Sequence, residues 1–355
     1  PLALGMVDAL EAAGIRAFGP RANAAIIEAS KAFSKPLMKK YHIPTAKYET
    51  FDDPAKVMAY IRAEGKYPVV IKADGLALGK GVLICENEQQ AADGVKEIML
   101  DKKFGASGNH VVVEEFLTGP EVSVLSFCDG KTFKPMVSSM DHKRALDHDE
   151  GLNTGGMGTV APNPYYTPAI AAECMEKIFL PTIQAMNAEG CPFKGCLYFG
   201  LMLTPDGPKV IEYNCRFGDP ETQVVLPLLE SDLLTVMQAT TNGTLDKTEV
   251  KFSDGAAACV ILASGGYPLA YEKGKEITGL TAGQLDAADV TVYHAGTAIK
   301  DGRLVTNGGR VLGVTATANT LPEALKKAYA ATESIHFDKL HKRSDIGARA
   351  LAAMQ

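Results

Sequence analysis

The sequence predicts an α+β protein built from more than one domain. A chain of 355 residues suffices for roughly two or three domains of about 150 residues each, and 46% of its residues are hydrophobic, as in a globular protein with a sizeable core. Short apolar strands alternate with amphipathic helices, and dipeptides typical of hairpin turns join several pairs of strands. No apolar run of about 20 residues could cross a bilayer, and no segment has the pattern of a signal peptide.

Charge and cysteine content narrow the class further. Lys and Arg total 36 against 42 Asp and Glu, which gives a net charge of −6 and argues against a general nucleic-acid-binding protein. The seven cysteines include no Cys-x-x-Cys pair, so a zinc site or a disulfide framework is not favoured. We expect buried, reduced thiols in a cytoplasmic protein that has no membrane partner.

The first 42 residues are predicted to form a helix, a strand and a broken helix. The helix covers 3–13 and the strand covers 15–18. Residues 23–42 are predicted to be helical with a break near Ser34-Lys35-Pro36, because Pro is tolerated only in the first turn of a helix. One helix and one strand cannot bury themselves. We therefore expect them to be the remnant of a larger α/β domain on the N-terminal side.

The rest of the chain divides into further α+β units. Strands are predicted at 47–51, 67–72, 82–86, 110–115, 121–128, 131–137, 195–203 and 208–214, with helices at 54–64, 88–100, 168–189 and 221–241. Residues 138–166 are predicted to be one long polar loop, and loops of that length are usually functional or disordered. The predicted divisions are 1–27, 28–46, 47–116, 117–252 and a β-rich C-terminal region, 253–355, with one helix near 321–334.

The segment VIEYNCRFGDPE at 210–221 holds the densest chemistry. Glu212 and Asn214 lie two apart on a predicted strand, so their side chains face the same way. A carboxylate and an amide oxygen on one face suit a hard cation such as Mg²⁺, which is usually shared with substrate phosphates. Arg216 follows and could clamp phosphate or carboxylate with two parallel donors. The alternative is an exposed strand end with ordinary surface polar groups.

A glycine-rich segment, KADGLALGKG at 72–81, lies between two short apolar runs. Its glycines would let backbone N–H groups approach phosphate closely. The spacing differs from that of a Walker A loop, and a strand follows where a Walker A loop precedes a helix. We expect the tip of a β-hairpin that folds over a nucleotide, with Lys72 directed at the phosphates. A flexible, solvated hairpin is the alternative.

Two further segments suggest ligand contacts. The apolar strand at 111–115 runs into a connector where the Glu115 carbonyl and the Leu117 N–H could bind adenine and Glu121 could bind ribose. The long loop contains DHKR at 141–144, a positive cluster, and NTGGMG at 153–158, a possible anion-binding nest of backbone N–H groups. A charged strand edge and a solvated surface turn are the alternatives. His142 alone would more often be structural than catalytic.

In this order, the segments resemble the ATP-grasp fold, in which two α+β lobes grip ATP between them. Together with HAGTA at 294–298 and TNGGRVLGVTA at 306–316, they resemble the glycinamide ribonucleotide synthetase family over essentially the whole chain. CRFGDPET at 215–222 is highly specific to that family. Its members begin with a dinucleotide-fold-like domain that this sequence does not show. We therefore expect the chain as given to bind ATP but to turn over poorly.

The resemblance implies a ligase of de novo purine biosynthesis that acts as a monomer. ATP, with Mg²⁺ or Mn²⁺, would activate glycine as glycyl phosphate, and 5-phosphoribosylamine would capture it to give glycinamide ribonucleotide, ADP and phosphate. Two alternatives remain open: another ATP-grasp carboxylate–amine ligase or carboxylase, and a non-catalytic nucleotide-binding module. The resemblance to the glycinamide ribonucleotide synthetase family implies that Arg216, Asp219 and Glu221 are catalytic residues.

The resemblance also implies the binding residues. Metal binding falls to Glu212 and Asn214. ATP binding falls to Lys31, Lys72, Gly79, Lys80, Gly81, Glu114, Glu115, Leu117 and Glu121. Substrate binding falls to Asp141, Lys143, Asn153, Thr154, Gly155, Gly156, Met157, Arg310 and Arg343, with Lys143, Arg310 and Arg343 as the candidates for the ribose 5-phosphate.

Overall fold

The N-terminal segment is helical throughout its regular structure. The structure, a computed structural model, describes residues 1–75, 81–280 and 289–355. A 3₁₀ turn at Leu2–Leu4 precedes helices α1 (Met6–Ala12), α2 (Ala22–Ala29) and α3 (Lys31–Lys40). The predicted strand at 15–18 is wrong, because those residues pair with no strand of the described chain.

The predicted helix break at Ser34-Lys35-Pro36 is also wrong, since Pro36 lies inside α3. The break falls instead at Ser30, whose backbone is extended (φ −138°, ψ 115°) and whose hydroxyl accepts a hydrogen bond from the Phe33 N–H at 3.1 Å. A serine cap of this kind starts a new helix and fixes the boundary.

A small lobe follows, built on a four-stranded antiparallel sheet of order β1–β4–β2–β3. Its elements are β1 (Tyr48–Phe51), α4 (Pro54–Glu64), β2 (Val69–Ala73), β3 (Val82–Cys85), α5 (Glu88–Val95) with a π turn at Lys96–Leu100, a 3₁₀ turn at Gly105–Gly108, and β4 (Val111–Glu115). α4 begins where the Asp53 carboxylate accepts the Ala55 N–H at 2.7 Å, and it ends at Gly65 in the left-handed region. The buried side chains of α4 and α5 pack on one face of the sheet.

The large lobe contains a second antiparallel sheet, of order β12–β11–β5–β6. Its elements are β5 (Glu121–Cys128), β6 (Phe133–Pro135), β7 (Met140–Asp141), β8 (Arg144–Leu146), a 3₁₀ turn at Asp147–Asp149, β9 (Glu150–Asn153), β10 (Gly158–Ala161), α6 (Pro168–Cys174), a π turn at Met175–Phe179, α7 (Leu180–Ala188), β11 (Gly195–Thr204) and β12 (Gly207–Asn214). Phe199 and Tyr213 on one face pack against Phe179, which follows α6. The opposite face carries Ser123, Glu212 and Asn214 at one end, and its Leu125 and Phe127 pack against α8 (Thr222–Val225), α9 (Leu233–Asn242) and β13 (Ala256–Ser264).

The C-terminal region is built on a six-stranded sheet of order β14–β17–β13–β10–β7, with β18 paired to β13. Its elements are α8 (Thr222–Val225), a 3₁₀ turn at Leu226–Leu228, α9 (Leu233–Asn242), a 3₁₀ turn at Leu245–Lys247, β13 (Ala256–Ser264), β14 (Val290–His294), β15 (Thr297–Lys300), β16 (Arg303–Thr306), β17 (Arg310–Ala318), α10 (Leu321–Thr332), β18 (Leu340–His341) and α11 (Ala348–Ala353). None of the helices in the described ranges is long and apolar enough to span a membrane. All seven cysteines are free and buried, as predicted.

The prediction of one long loop at 138–166 is wrong, because this segment supplies two strands, β7 and β10, to the C-terminal sheet. β10 lies between β13 and β7, and Val160 and Ala161 are fully buried. The close approach requires Gly158, since a Cβ there would lie 2.7 Å from the Cys259 carbonyl oxygen. A division at 252/253 therefore cuts through a continuous sheet, although the segments on either side remain recognisable.

Candidate functional site

The end of β12 presents two oxygen-bearing side chains to the space between the lobes. Glu212 pairs with Gly200 and Asn214 with Tyr198 on β11, so both side chains lie on one face as predicted. Gly200 leaves room for the carboxylate, because a Cβ at that position would lie 3.1 Å from Glu212 Cγ. Between these pairs and Val210, the register shifts by one residue, which makes Ile211 a β-bulge, a feature common beside active sites.

This donor set fits a hard divalent cation. Across residues 1–75, 81–280 and 289–355, no three His, Cys, Asp or Glu side chains form a group that could hold a metal ion. Mg²⁺ does not need such a cage, since it is commonly bound by one or two protein carboxylates together with waters and substrate phosphates. Glu212 and the Asn214 amide oxygen, both partly exposed on the face described above, match that requirement.

Lys72 reaches the same strand from the small lobe. Its ammonium donates to Glu114 Oε2 at 2.9 Å and to the carbonyl of the bulged Ile211 at 3.3 Å. Lys31 lies beside it and donates to the carbonyls of Ala73 (3.2 Å) and Gly75 (3.3 Å) at the base of the β2–β3 hairpin. Burial lowers the pKa of Lys31, with Glu212 acting in the opposite direction. Two lysines therefore converge on the hairpin base opposite β12.

The β2–β3 hairpin predicted from the glycine-rich segment is present. Its strands pair antiparallel from Val69–Cys85 to Lys72–Val82, and the Ala73 N–H donates to the Gly81 carbonyl at 2.8 Å. Gly79 and Lys80 lie outside the described residues. Glu114 is not the free ligand that the sequence suggested, because its carboxylate is held by lysines. Burial opposes the ionisation of Glu114, yet Lys72 and Lys35 together bring its pKa below the usual value.

The proposed adenine connector follows β4 directly. The Glu115 carboxylate accepts the Lys47 N–H at 2.9 Å, and Leu117 lies half-buried where the chain leaves the sheet. Glu121, at the start of β5, forms an ion pair with Lys143 at 2.8 Å, which lowers the pKa of Glu121. The roles of Glu115, Leu117 and Glu121 in nucleotide binding stay predictions.

Lys143 lies among carboxylates rather than in a positive cluster. Although burial opposes its charge, Glu121 and Glu212 hold the pKa of Lys143 well above its usual value. Burial and the neighbouring Glu221 raise the pKa of Asp141, and burial is also the main cause of the raised pKa of Glu221. The group contains four carboxyls around one ammonium. Its electrostatics favour a bound cation such as an amine.

The NTGGMG segment is not an open anion-binding nest. The N–H groups of residues 154–157 are all used within the protein, and their acceptors are the Lys143 carbonyl (2.7 Å), the Tyr267 hydroxyl (3.0 Å), the Thr154 hydroxyl (3.0 Å) and the His142 carbonyl (2.8 Å). The Met157 side chain is fully buried in the C-terminal core, and Asn153 is exposed on β9. These N–H groups therefore do not form the anion-binding nest, and substrate binding by Asn153, Thr154, Gly155, Gly156 and Met157 stays a prediction.

Two of the three candidates for a ribose 5-phosphate site are engaged elsewhere. The Arg310 guanidinium donates to the Gly155 and Asp219 carbonyls, both at 2.8 Å, and pairs with the Asp219 carboxylate at 3.2 Å. Arg343 is 1% exposed and pairs with Asp345 (2.7 Å) and Asp149 (3.0 Å). Arg343 has no free surface for a phosphate, so that assignment is wrong. Arg310 instead fastens the Gly155 turn to the segment that follows β12.

The remaining predicted catalytic residues lie just beyond β12. Arg216 is exposed, and its guanidinium donates to the Phe217 carbonyl at 2.9 Å and contacts Asn214 Oδ1 at 3.4 Å. The Asp219 side chain is half-exposed, whereas Glu221 is buried beside Ser123, whose hydroxyl lies 3.4 Å from Glu221 Oε1. The structure thus brings Arg216, Asp219 and Glu221 to one end of β12.

Sequence reasoning missed the residues that support this site. The Glu28 carboxylate accepts the Cys215 N–H at 2.6 Å, which fixes the backbone between Asn214 and Arg216. Lys35 pairs with Glu114 at 3.1 Å. One signal was available for Lys35, since it lies three positions before buried Met38 on the same face of α3. The partner of Glu28 is 187 positions away, and no local pattern predicts it.

Family models match most of the chain. Residues 29–222 match the model described as "Phosphoribosylglycinamide synthetase, ATP-grasp (A) domain". Residues 257–349 match the model described as "Phosphoribosylglycinamide synthetase, C domain".

Curated proteins and solved structures give the same picture. The chain is 47% identical to phosphoribosylamine–glycine ligase of Vibrio vulnificus strain YJ016, covering 100% of this chain and 82% of that protein. It is 50% identical to the trifunctional purine biosynthetic protein adenosine-3 of Gallus gallus, covering 99% of this chain but 35% of that longer protein. The crystal structure of phosphoribosylamine–glycine ligase from Thermotoga maritima matches with a TM-score of 0.85 at 39% identity, covering 93% of this chain and 81% of that one. A biotin carboxylase domain from Hydrogenobacter thermophilus, solved with MgADP, matches at 15% identity with a TM-score of 0.72, which shows the shared fold alone.

Proposed function

Because this chain belongs to the phosphoribosylglycinamide synthetase family, we propose that it ligates glycine to 5-phosphoribosylamine with ATP. The products are glycinamide ribonucleotide, ADP and phosphate, as in de novo purine biosynthesis. The observation that supports this most strongly is the position of Lys72 and Lys31 at the base of the β2–β3 hairpin, opposite the strand that carries Glu212 and Asn214. The 47% identity over the whole chain to a protein named phosphoribosylamine–glycine ligase supports the choice of substrates.

The first half-reaction joins glycine to phosphate. An oxygen of the glycine carboxylate attacks the γ-phosphorus of ATP, the bond to ADP breaks, and glycyl phosphate forms. The protein contributes mainly position and charge to such a transfer. Lys72, Lys31 and the N–H groups of the hairpin, with Gly79, Lys80 and Gly81, would hold the phosphate oxygens. Leu117, Glu115 and Glu121 would hold the nucleoside.

Glu212 and Asn214 would hold Mg²⁺ or Mn²⁺, which when bound would neutralise charge on the phosphate oxygens. Arg216 would hold the transferred phosphoryl group or the glycine carboxylate with its exposed guanidinium. Closure of the hairpin would keep water from the acyl phosphate, which hydrolyses readily.

The second half-reaction forms the amide. The amine nitrogen of 5-phosphoribosylamine attacks the acyl carbon, the bond to phosphate breaks, and the amine loses a proton. Asp219 and Glu221 would orient the amine, and Asp141 with Lys143 would complete the substrate site. The excess of carboxyls around Lys143 favours an incoming amine over a second anion at this position.

We also infer a monomeric, cytoplasmic enzyme that acts on small molecules and not on nucleic acid. The net charge of −6 and the seven free cysteines support this setting. Size-exclusion chromatography with light scattering tests the monomer, which would elute near 37.7 kDa.

The activity is tested by incubating the chain with ATP, Mg²⁺, glycine and 5-phosphoribosylamine. We expect glycinamide ribonucleotide by mass spectrometry, in an amount equal to the phosphate released. With hydroxylamine replacing the sugar amine, glycyl hydroxamate should form and report the acyl phosphate. Phosphate release that requires bicarbonate and not glycine would instead identify a carboxylase, and binding of ATP without any turnover would identify a non-catalytic module.

A further inference from the structure

A single carboxylate at the base of the β2–β3 hairpin is shared by two buried ammonium groups. Glu114 Oε2 lies 2.9 Å from Lys72 Nζ, and Glu114 Oε1 lies 3.1 Å from Lys35 Nζ. The exposed fraction of the side chain is 4% for Glu114, 6% for Lys72 and 2% for Lys35. We call Lys35, Glu114 and Lys72 the buried trio, and its formal charge is +1.

The two lysines of the buried trio have different surroundings. Lys72 faces the space between the lobes and reaches the Ile211 carbonyl of β12. Lys35 is enclosed on the other side: its ammonium donates to the Thr45 hydroxyl at 2.8 Å and lies 5.6 Å from the centre of the Tyr48 ring. The Thr45 hydroxyl in turn donates to the Val210 carbonyl at 2.7 Å. Lys35 is thus held within the protein, and its ion pair with Glu114 links it to Lys72.

The charge count shows what Lys35 adds. A Lys72–Glu114 pair alone would be neutral, and in a buried site the carboxylate would offset most of the attraction between Lys72 and a phosphate. A second lysine on the other carboxylate oxygen offsets the charge of Glu114 and leaves one net positive charge.

Keeping this ammonium buried costs stability. Burial lowers the pKa of Lys35 to about 8, although Glu114 acts in the opposite direction. An apolar side chain of similar length would avoid that cost. The stability of the fold therefore does not account for a charged group at this position.

We propose that Lys35 is a positioning residue that balances the charge of Glu114 and so leaves the positive charge of Lys72 available to the nucleotide phosphates. The inference deepens the proposed function and rests on it, since it takes Lys72 to be a phosphate ligand. The two lysines of the buried trio then have different roles. Lys72 contacts the phosphate, and Lys35 offsets the negative charge of Glu114 beside it.

The test compares the affinity for MgATP with the affinity for adenosine, which lacks phosphates. The variants are Lys35→Met, the double variant Lys35→Met with Glu114→Gln, and Lys39→Met as a control that removes an exposed charge from the same helix. The formal charge of the buried trio is then 0, +1 and +1, respectively. Isothermal titration gives the dissociation constant for MgATP, and competition gives that for adenosine.

We expect Lys35→Met to weaken MgATP binding by about tenfold or more relative to adenosine, because the attraction between buried charges is strong. The double variant should recover the wild-type ratio of the two affinities to within about threefold, and Lys39→Met should leave the ratio unchanged. If Lys35→Met is too unstable to measure, the double variant, which leaves no carboxylate with a missing partner, still reports whether one net charge suffices.

An unchanged ratio in Lys35→Met would overturn the inference. So would an equal loss of both ligands that the double variant does not repair, because that pattern belongs to a purely structural residue. Failure of the proposed function is distinguishable: a wild-type chain that binds MgATP without glycine-dependent turnover would remove the ligase activity and leave the charge effect in place.

Discussion

At the scale of single residues, the most specific proposal is that Glu212 binds the metal ion. It lies on β12 opposite Gly200, is partly exposed, and acts electrostatically on Lys31 and Lys143. Glu212→Ala should therefore lower metal-dependent ATP turnover by about 100-fold or more while the fold persists, because a lost electrostatic contact to a transferring group costs several kcal/mol. Phosphate release measures the loss, and circular dichroism checks the fold.

Glu49→Ala provides the matched control, since Glu49 is an exposed carboxylate on the edge strand β1. Its turnover should equal that of the wild type. Near-normal turnover in Glu212→Ala would remove the metal assignment.

His142 adjoins the predicted site but has a structural role. It is 1% exposed, its Nδ1 lies 3.1 Å from the Gly158 carbonyl, and its Nε2 accepts the Gly347 N–H at 3.0 Å. An acceptor role for Nε2 requires the neutral ring. Burial, with Arg343 nearby, lowers the pKa of His142 from 6.5 to about 4.

A pH dependence of stability follows. Between pH 6.5 and 4 the unfolded chain binds a proton at this histidine that the folded chain does not, so the free energy of unfolding falls as the pH falls through that window. The full contribution is about 3 kcal/mol, at 1.4 kcal/mol for each pKa unit. Urea unfolding at pH 7 and pH 4.5 should show a smaller difference in His142→Gln than in the wild type. The exposed His336→Gln should retain the wild-type difference, and a wild-type response in His142→Gln would refute the role.

At the scale of elements, the β8–β9 hairpin depends on the C-terminal segment. Arg343 pairs with Asp149 and binds Asp345 through both Nε and Nη2, and the Ser344 N–H donates to Asp147 at 2.8 Å. These contacts hold residues 147–149 against residues 343–345. They account for the burial of a full guanidinium.

Replacing Arg343 by Met should lower the free energy of unfolding by about 2 kcal/mol, because it removes charge-assisted hydrogen bonds from a buried guanidinium to two partly exposed carboxylates, of which Asp149 keeps Arg349 at 3.3 Å. Arg303→Met is the control: Arg303 pairs with Glu276 on the surface at 3.0 Å, and such pairs contribute about 0–1 kcal/mol. Urea denaturation compares the two. Equal, small losses would show that the Arg343 pairs contribute little.

The turn at Gly156 couples the loop after β9 to the segment after β12. Its φ is +112°, and a Cβ would lie 2.5 Å from Pro220 Cδ and 2.6 Å from Asp141 Oδ1. Gly156→Ala should therefore displace Asp141 and the Asp219–Glu221 segment and lower turnover about tenfold or more, as small misplacements in active sites do.

Gly190→Ala separates this effect from backbone strain alone. Gly190 also has a positive φ, +73°, but no atom lies within 4 Å of its Cβ position. Both variants should lose about 1–2 kcal/mol of stability from strain, and only Gly156→Ala should lose turnover. Full activity in Gly156→Ala would show that the turn does not position the site.

At the scale of the whole molecule, local pattern predicted the elements and not their long-range partners. The helix at 54–64 and the strand at 121–128 match the structure residue for residue, since a capping Asp53 and a hairpin turn define their bounds. The alternation in β12 placed Glu212 and Asn214 on one face. In contrast, β10 was hidden in a polar loop because it is only four residues long and its partner β13 lies about a hundred positions away.

The site shows the same limit. Glycine and basic residues in the long loop and in the C-terminal region suggested phosphate binding, yet Arg310, Arg343 and the Gly155 N–H join that loop to other segments. The N–H groups of residues 154, 156 and 157 donate to acceptors within the loop itself. The type of a residue predicts which ligands its side chain could bind. Only the fold determines whether another residue of the same chain already binds that side chain. The lobes themselves meet through Lys72 and the Ile211 carbonyl, a contact between positions 139 apart.

We propose that the β2–β3 hairpin and β12 enclose a triphosphate with a divalent ion at Glu212 and Asn214. A crystal structure with Mn²⁺ and a non-hydrolysable ATP analogue would test this proposal, because manganese gives an anomalous signal. We expect a manganese peak within about 2.0–2.5 Å of Glu212 and Asn214 oxygens, with phosphates between that ion and Lys72. Manganese and nucleotide bound elsewhere, with Glu212 and Asn214 left facing solvent, would contradict it.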